Sequence, residues 1–183
     1  MLIQPTEIPE VIVLASKRHG DARGYFMETF RRAALDDAGI QEPFVQDNES
    51  LSAAAGTLRG LHFQIPPRAQ GKLVRVVRGS VLDVAVDLRR HSASYGRHVA
   101  VELSAENARQ LWVPAGFAHG VCTLEPDTIL AYKVTDYWSP DHERTLRFND
   151  PELKIPWPVS ENEMTVNARD REAPLLQELE GWF

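Results

Sequence analysis

Three side chains with complementary proton chemistry, His62, Lys72 and Tyr132, lie in separate runs of alternating β-formers. His62 is in Thr57-Leu58-Arg59-Gly60-Leu61-His62-Phe63-Gln64, and Lys72 is in Gln70-Gly71-Lys72-Leu73-Val74-Arg75-Val76-Val77-Arg78-Gly79. The turn Ile65-Pro66-Pro67-Arg68-Ala69 separates the two runs, which read as strand, loop and strand. A period of two puts His62 and Gln64 on one face, and Lys72, Val74 and Val76 on one face of the next strand. Arg59 and His62 are three apart, so an ideal strand aims them to opposite faces; Gly60 between them is where a bulge would re-aim one. A neutral His can take a carbon-bound proton. A Lys ammonium can stabilise the enolate oxygen, a donor of the kind worth ~2.7–4 kcal/mol. A Tyr hydroxyl can return a proton from the other side. Together they suit proton abstraction next to a carbonyl, with inversion of the carbon.

A second histidine, His119, sits in Pro114-Ala115-Gly116-Phe117-Ala118-His119, read as a tight turn that resembles the second motif of the cupins. The first cupin motif is degraded: a metal-binding cupin has His-x-His and then Glu, whereas this chain has His62-Phe63-Gln64. Two imidazoles with no third ligand make a poor divalent site, so no metal and no other cofactor is expected.

The elements that must position these groups are mostly strands. Ser80 to Leu88 alternates, with Leu82, Val84, Val86 and Leu88 on one face and Asp83, Ala85 and Asp87 on the other. Further strands are read at 98–103, 110–113 and 129–134, and residues 1–15 give one or two edge strands. A helix is expected over Arg31 to Ala38, with Thr29 as N-cap and Gly39 ending it. From Ser139 the composition turns to Pro, Asp, Glu, Asn and Trp, and Leu175, Leu176, Leu179 and Trp182 suit one side of a short docking helix. Short strands with regular turns predict a β-jelly roll with a short N-terminal helix and an irregular C-terminal extension. The 183 residues are expected to form a single domain, 1–183.

Composition bounds the class. A net charge of −6 argues against a nucleic-acid partner but leaves room for a local cationic pocket. The one cysteine, Cys122, excludes an internal disulfide and reads as a small core residue. With no signal peptide and no apolar run near ~20 residues, the expectation is a cytoplasmic protein without a membrane partner.

The chain resembles the dTDP-4-dehydrorhamnose 3,5-epimerases, which are cupin-like jelly rolls. The matching stretches begin with Arg23-Gly24-Tyr25-Phe26-Met27-Glu28, Phe44-Val45-Gln46-Asp47-Asn48 and Leu58 to Gln64. They continue with Gln70 to Arg75, Phe117-Ala118-His119-Gly120, Tyr132 to Tyr137 and His142-Glu143-Arg144. The resemblance implies epimerisation of dTDP-4-keto-6-deoxy-D-glucose at C3 and C5, without a cofactor. It implies His62 as base with Asp170 as its carboxylate partner, Tyr132 as acid and Lys72 as enolate stabiliser. It implies that Arg59, Gln46, Asn48 and His119 line the sugar and diphosphate pocket. Arg23 and Glu28 would contact the nucleotide sugar, and Glu143 and Arg169 its far end. The family's Tyr-Tyr pair is here Tyr137-Trp138, and Trp138 can still stack on a base or sugar. The implied assembly is a homodimer with exchanged strands. The alternatives are a mono-epimerase acting at C3 or C5 only, a metal-dependent cupin enzyme, and a non-catalytic sugar-binding cupin.

Overall fold

A computed structural model describes residues 1–183. The strands are β1 (Leu2–Pro5), β2 (Ile12–Ala15), β3 (Arg18–Asp21), β4 (Gly24–Met27), β5 (Gln46–Ser52), β6 (Leu58–Gln64) and β7 (Lys72–Arg78). They continue with β8 (Ser80–Asp87), β9 (His98–Ser104), β10 (Arg109–Val113), β11 (Phe117–Thr123), β12 (Thr128–Val134) and β13 (Glu143–Thr145). Two short helices, α1 (Arg32–Asp37) and α2 (Ala168–Arg171), complete the regular structure with two 3-10 turns. A six-stranded antiparallel sheet runs β1-β2-β10-β7-β12-β5 and a five-stranded one β13-β6-β11-β8-β9, while β3 and β4 form a separate hairpin. Two antiparallel sheets facing each other make the expected mainly β jelly roll.

Alternation in the sequence translates into three apolar layers. Val74, Val76, Leu111, Val113 and Leu130 of the six-stranded sheet pack against Val81, Ala85, Val99, Leu103, Phe117 and Val121 of the other. The outer face of the five-stranded sheet (Leu61, Phe63, Val84, Val86, Ala118) is covered by Leu146, Leu153, Leu176 and Leu179 of the C-terminal wrap. The outer face of the six-stranded sheet (Leu14, Leu73, Trp112) is covered by Leu35 of α1 and Ile40. A fully buried side chain of this size contributes ~1.5–3 kcal/mol, so the wrap is part of the core rather than an appendage. Cys122 is buried on β11, as expected, and burial pushes its thiol up to about 11.

Several local expectations are corrected. Thr29 does not cap α1: the N-cap is Arg31 in extended backbone without a side-chain bond, and the Thr29 carbonyl accepts from Gln110 Nε2 at 2.8 Å. The helix is held by buried Leu35 and by the Arg32–Asp36 ion pair at 2.7 Å, so packing overrode the cap signal. Leu176 and Leu179 do dock, but from a 3-10 turn over Leu176–Glu178, fixed by Leu176 N donating to Asp150 Oδ2 at 2.7 Å. His119 lies within β11, not in the preceding turn, and the stretch read as irregular after Ser139 contributes β13 at the edge of the five-stranded sheet. No helix is long and apolar enough to cross a membrane.

Candidate active site

The space between the two sheets opens into a cavity of about 240 Å³ lined by Arg59, His62 and His119 from the five-stranded sheet and by Ser50, Lys72 and Tyr132 from the six-stranded one. An adjoining opening of about 330 Å³ shares His62, Lys72 and Tyr132 and adds Gln46, Asn48, Gln70, Trp138 and Glu143.

Backbone irregularity aims the base. In the β6–β11 pairing His62 faces His119 and Arg59 faces Val121, so two residues, Gly60 and Leu61, oppose Gly120 alone. This bulge turns both Arg59 and His62 into the cavity, as Gly60 in the sequence suggests. Only glycine fits there: φ is +125°, and a Cβ would lie 2.6 Å from Gly120 Cα and 2.7 Å from the His119 carbonyl oxygen.

His62 is backed by a carboxylate 108 residues away. Asp170, fully buried on α2, lies 2.7 Å from His62 Nε2 through Oδ1 and accepts from Gly60 N at 2.9 Å through Oδ2. Burial alone would raise the Asp170 carboxyl, but the bonds from His62 and Gly60 and the charge of Arg169 outweigh it and hold it below the ordinary range. With Nε2–H given to an ionised Asp170, Nδ1 of His62 is left as the free lone pair. α2 is itself held by Asn167, whose Oδ1 accepts from Asp170 N at 2.7 Å and which also lines the cavity.

On the opposite wall, Tyr132 stands on β12 next to Val74 of β7, two residues along from Lys72. Burial raises the Tyr132 hydroxyl, Glu143 raises it further, and Arg59 opposes them, so the group stays a protonated donor. Burial pushes the Lys72 ammonium down to about 8, against the pull of Glu143 and Asp83. Lys72 Nζ donates to the His62 carbonyl at 3.1 Å, which ties the cation to the strand of the base.

The other expected residues divide into two groups. Arg59 is oriented by Ser52 Oγ and the Leu51 carbonyl, both at 3.1 Å. Gln46 bonds Asn48 at 2.8 Å, and Glu143 pairs with Arg169 at 2.8 Å. Arg23 and Glu28 do not reach the cavity of their own chain: Arg23, 90% exposed, pairs with Asp21 beside the β3–β4 hairpin, and Glu28 pairs with Arg31.

One buried group was missed. Asp83, fully buried on β8, bonds His119 Nε2 at 2.7 Å through Oδ1, and its Oδ2 has no partner. His119, which lines the cavity, therefore belongs to a second imidazole–carboxylate pair, beside the first on the same sheet. The signal was available: Asp83 alternates with Ala85 on a strand whose other face carries Leu82, Val84 and Val86, and such a strand in a sandwich turns both faces inward.

A family model of dTDP-4-dehydrorhamnose 3,5-epimerase matches residues 5–178. The chain belongs to the dTDP-4-dehydrorhamnose 3,5-epimerase family. The epimerase of that name from Sinorhizobium fredii is 50% identical over 183 residues, covering 98% of this chain and 91% of its own. The one from Pseudomonas aeruginosa is 51% identical over 172 residues, covering 93% and 88%. The crystal structure of the Legionella pneumophila 3,5-epimerase in complex with dTDP-4-keto-L-rhamnose superposes with a TM-score of 0.93 at 44% identity, over 98% of this chain and 94% of that one. Membership makes the protein a carbohydrate epimerase on a cupin-like jelly roll.

Proposed function

We propose that the protein converts dTDP-4-keto-6-deoxy-D-glucose to dTDP-4-keto-L-rhamnose by epimerising C3 and C5, within dTDP-L-rhamnose synthesis. The observation that carries this is the division of the chemistry between two walls: His62, backed by Asp170 of α2, stands on the five-stranded sheet and Tyr132 on the six-stranded sheet. Inversion needs a base and an acid on opposite faces of the sugar ring, and facing sheets supply them.

His62 Nδ1 removes the proton next to the C4 ketone, and the electron pair moves to the ketone oxygen as an enolate. The Lys72 ammonium stabilises that charge from the cavity wall. Tyr132 protonates the carbon from the opposite wall and regains its proton from solvent, while the His62 imidazolium releases the abstracted proton to solvent. Arg59 suits the diphosphate because its planar fork pairs with phosphate oxygens, and His119, Gln46 and Asn48 line the sugar side. Trp138 provides a stacking face for the base, and Glu143 and Arg169 close the far end. The active unit in this reading is a homodimer whose hairpins are exchanged: the β3–β4 hairpin stands apart from both sheets with Phe26 72% exposed, and it brings Arg23 and Glu28 to the partner's pocket. The reaction is assigned no metal or cofactor, since both imidazoles give Nε2 to carboxylates and no three His, Cys, Asp or Glu side chains cluster.

The test is NMR of dTDP-4-keto-6-deoxy-D-glucose incubated with the enzyme in D₂O. Deuterium should enter at both C3 and C5, and His62→Ala should abolish it; entry at one carbon would identify a mono-epimerase. Tyr132→Phe leaves His62 able to abstract and return a proton on its own face, so exchange should outlast inversion. Equal loss of both would remove Tyr132 as the sole opposite-face acid.

A further inference from the structure

Two residues beyond the base on the same strand face, Gln64 occupies the position where a metal-binding cupin carries a ligand, yet its side chain does not line the cavity. It is 3% exposed, and three hydrogen bonds commit it elsewhere. Its Nε2 donates to the Arg68 carbonyl at 2.6 Å and the Tyr137 carbonyl at 3.2 Å, and its Oε1 accepts from Ser139 N at 2.7 Å. The last two partners flank Trp138 on either side. That indole is 57% exposed at the cavity mouth, in a stretch with no regular secondary structure of its own. Gln46 Oε1 completes the clamp by accepting from Trp138 N at 3.1 Å. One buried amide thus joins strand β6, the turn after it and the backbone on both sides of an exposed aromatic.

We propose that Gln64 is a positioning residue for nucleotide binding: it fixes the Tyr137–Ser139 backbone so that Trp138 is preorganised as the stacking face. The physical basis is that an irregular segment ordered before the ligand arrives does not have to be ordered at the ligand's expense. A buried amide with both donors and its acceptor engaged confers that order, and removing it leaves two carbonyls and an N–H without partners. The effect should fall on binding rather than on chemistry, because no bond of Gln64 reaches His62, Lys72 or Tyr132. This inference rests on the nucleotide-sugar reading of the pocket.

The experiment measures dTDP affinity by calorimetry and steady-state kinetics for Gln64→Leu, which keeps most of the shape and loses all three bonds. Gln64→Glu, which keeps the acceptor for Ser139 N, serves if the leucine variant does not fold. The expected result is a dTDP Kd and a KM raised about tenfold, with kcat within about twofold of wild type. Trp138→Ala should weaken dTDP binding as well, and adding Gln64→Leu to it should weaken binding no further, since both act through one contact. A fall in kcat at unchanged KM, additive losses in the double variant, an unchanged Kd in Gln64→Leu and in Gln64→Glu, or no effect of Trp138→Ala would each overturn the proposal. If the wild-type protein fails to bind dTDP at all, the nucleotide-sugar reading itself falls, which the wild-type titration alone reveals.

Discussion

The Lys72 ammonium is placed where the chemistry needs it and the fold does not. In the unfolded chain the amine titrates near 10.5; in the folded protein burial brings it to about 8. Between pH 8 and 10.5 the unfolded chain holds a proton that the folded chain has released, so stability rises with pH across that interval. Below pH 8 both states are protonated and the penalty is present in full. At 1.36 kcal/mol per pH unit the drop corresponds to about 3 kcal/mol of destabilisation at pH 7. Lys72→Met removes that penalty but forfeits the bond to the His62 carbonyl, which for a charged donor is worth about 1.5–3 kcal/mol. The variant should therefore be more stable at pH 7 by up to about 2 kcal/mol, a rise in Tm of at most roughly 4–8 °C for a chain of this size. It should also lose epimerisation and deuterium exchange together, because without the cation the enolate itself is not reached. Thermal unfolding followed by circular dichroism at pH 7 and near pH 10 reads the effect, and the advantage should shrink at the higher pH. In the wild type, kcat/KM should fall as pH rises through about 8. A methionine variant less stable than wild type by the same amount at both pH values would refute the argument, since the ammonium would then carry no desolvation penalty.

Asp170→Asn should keep the fold and lower kcat about 10²–10⁴-fold, because an amide no longer fixes the tautomer that leaves His62 Nδ1 unprotonated; ¹⁵N NMR of the imidazole checks the tautomer alongside the rate. Gly60→Ala should destabilise by about 3 kcal/mol or more and disturb Arg59, His62 and His119 together, measurable as a fall in Tm with loss of dTDP binding. Exhaustive chelation should leave full activity; loss that one divalent ion restores would point to a metal-dependent cupin.

What the sequence disclosed follows the range of the forces involved. Period-two alternation is local, so the faces of Lys72, Val74 and Val76 and the jelly-roll class were legible, as was the bulge at Gly60, which the backbone needs wherever the chain pairs. The cap at Thr29 was misread because its carbonyl is claimed by Gln110, 81 residues away, and no local pattern encodes that partner. Strand order was hidden for the same reason: β2 lies between β1 and β10, a neighbour nearly a hundred residues on. The Asp170 assignment came from resemblance, since nothing near Ala168-Arg169-Asp170 shows that its carboxylate meets an imidazole on β6. The alternation put Asp83 on the face of Ala85 and Asp87, and the packing of both sheets shows that face to be interior.

The same helix that hides Asp170 also holds Glu143. α2 has four residues, too few to be stable alone, and it is fixed by the Asn167 cap, by Asp170 and by Arg169. Consecutive side chains serve the base and the acid side separately: Asp170 orients His62, while Arg169 holds Glu143 of β13, on the same sheet, at 2.8 Å, and Glu143 is the carboxylate that pulls Lys72 and Tyr132 toward their protonated forms. A base that must be unprotonated and an acid and cation that must be protonated need opposite electrostatic surroundings within one small cavity. Asp170 meets the first need at the base and Arg169 the second by holding Glu143, so a shift of α2 would detune the base and the acid together.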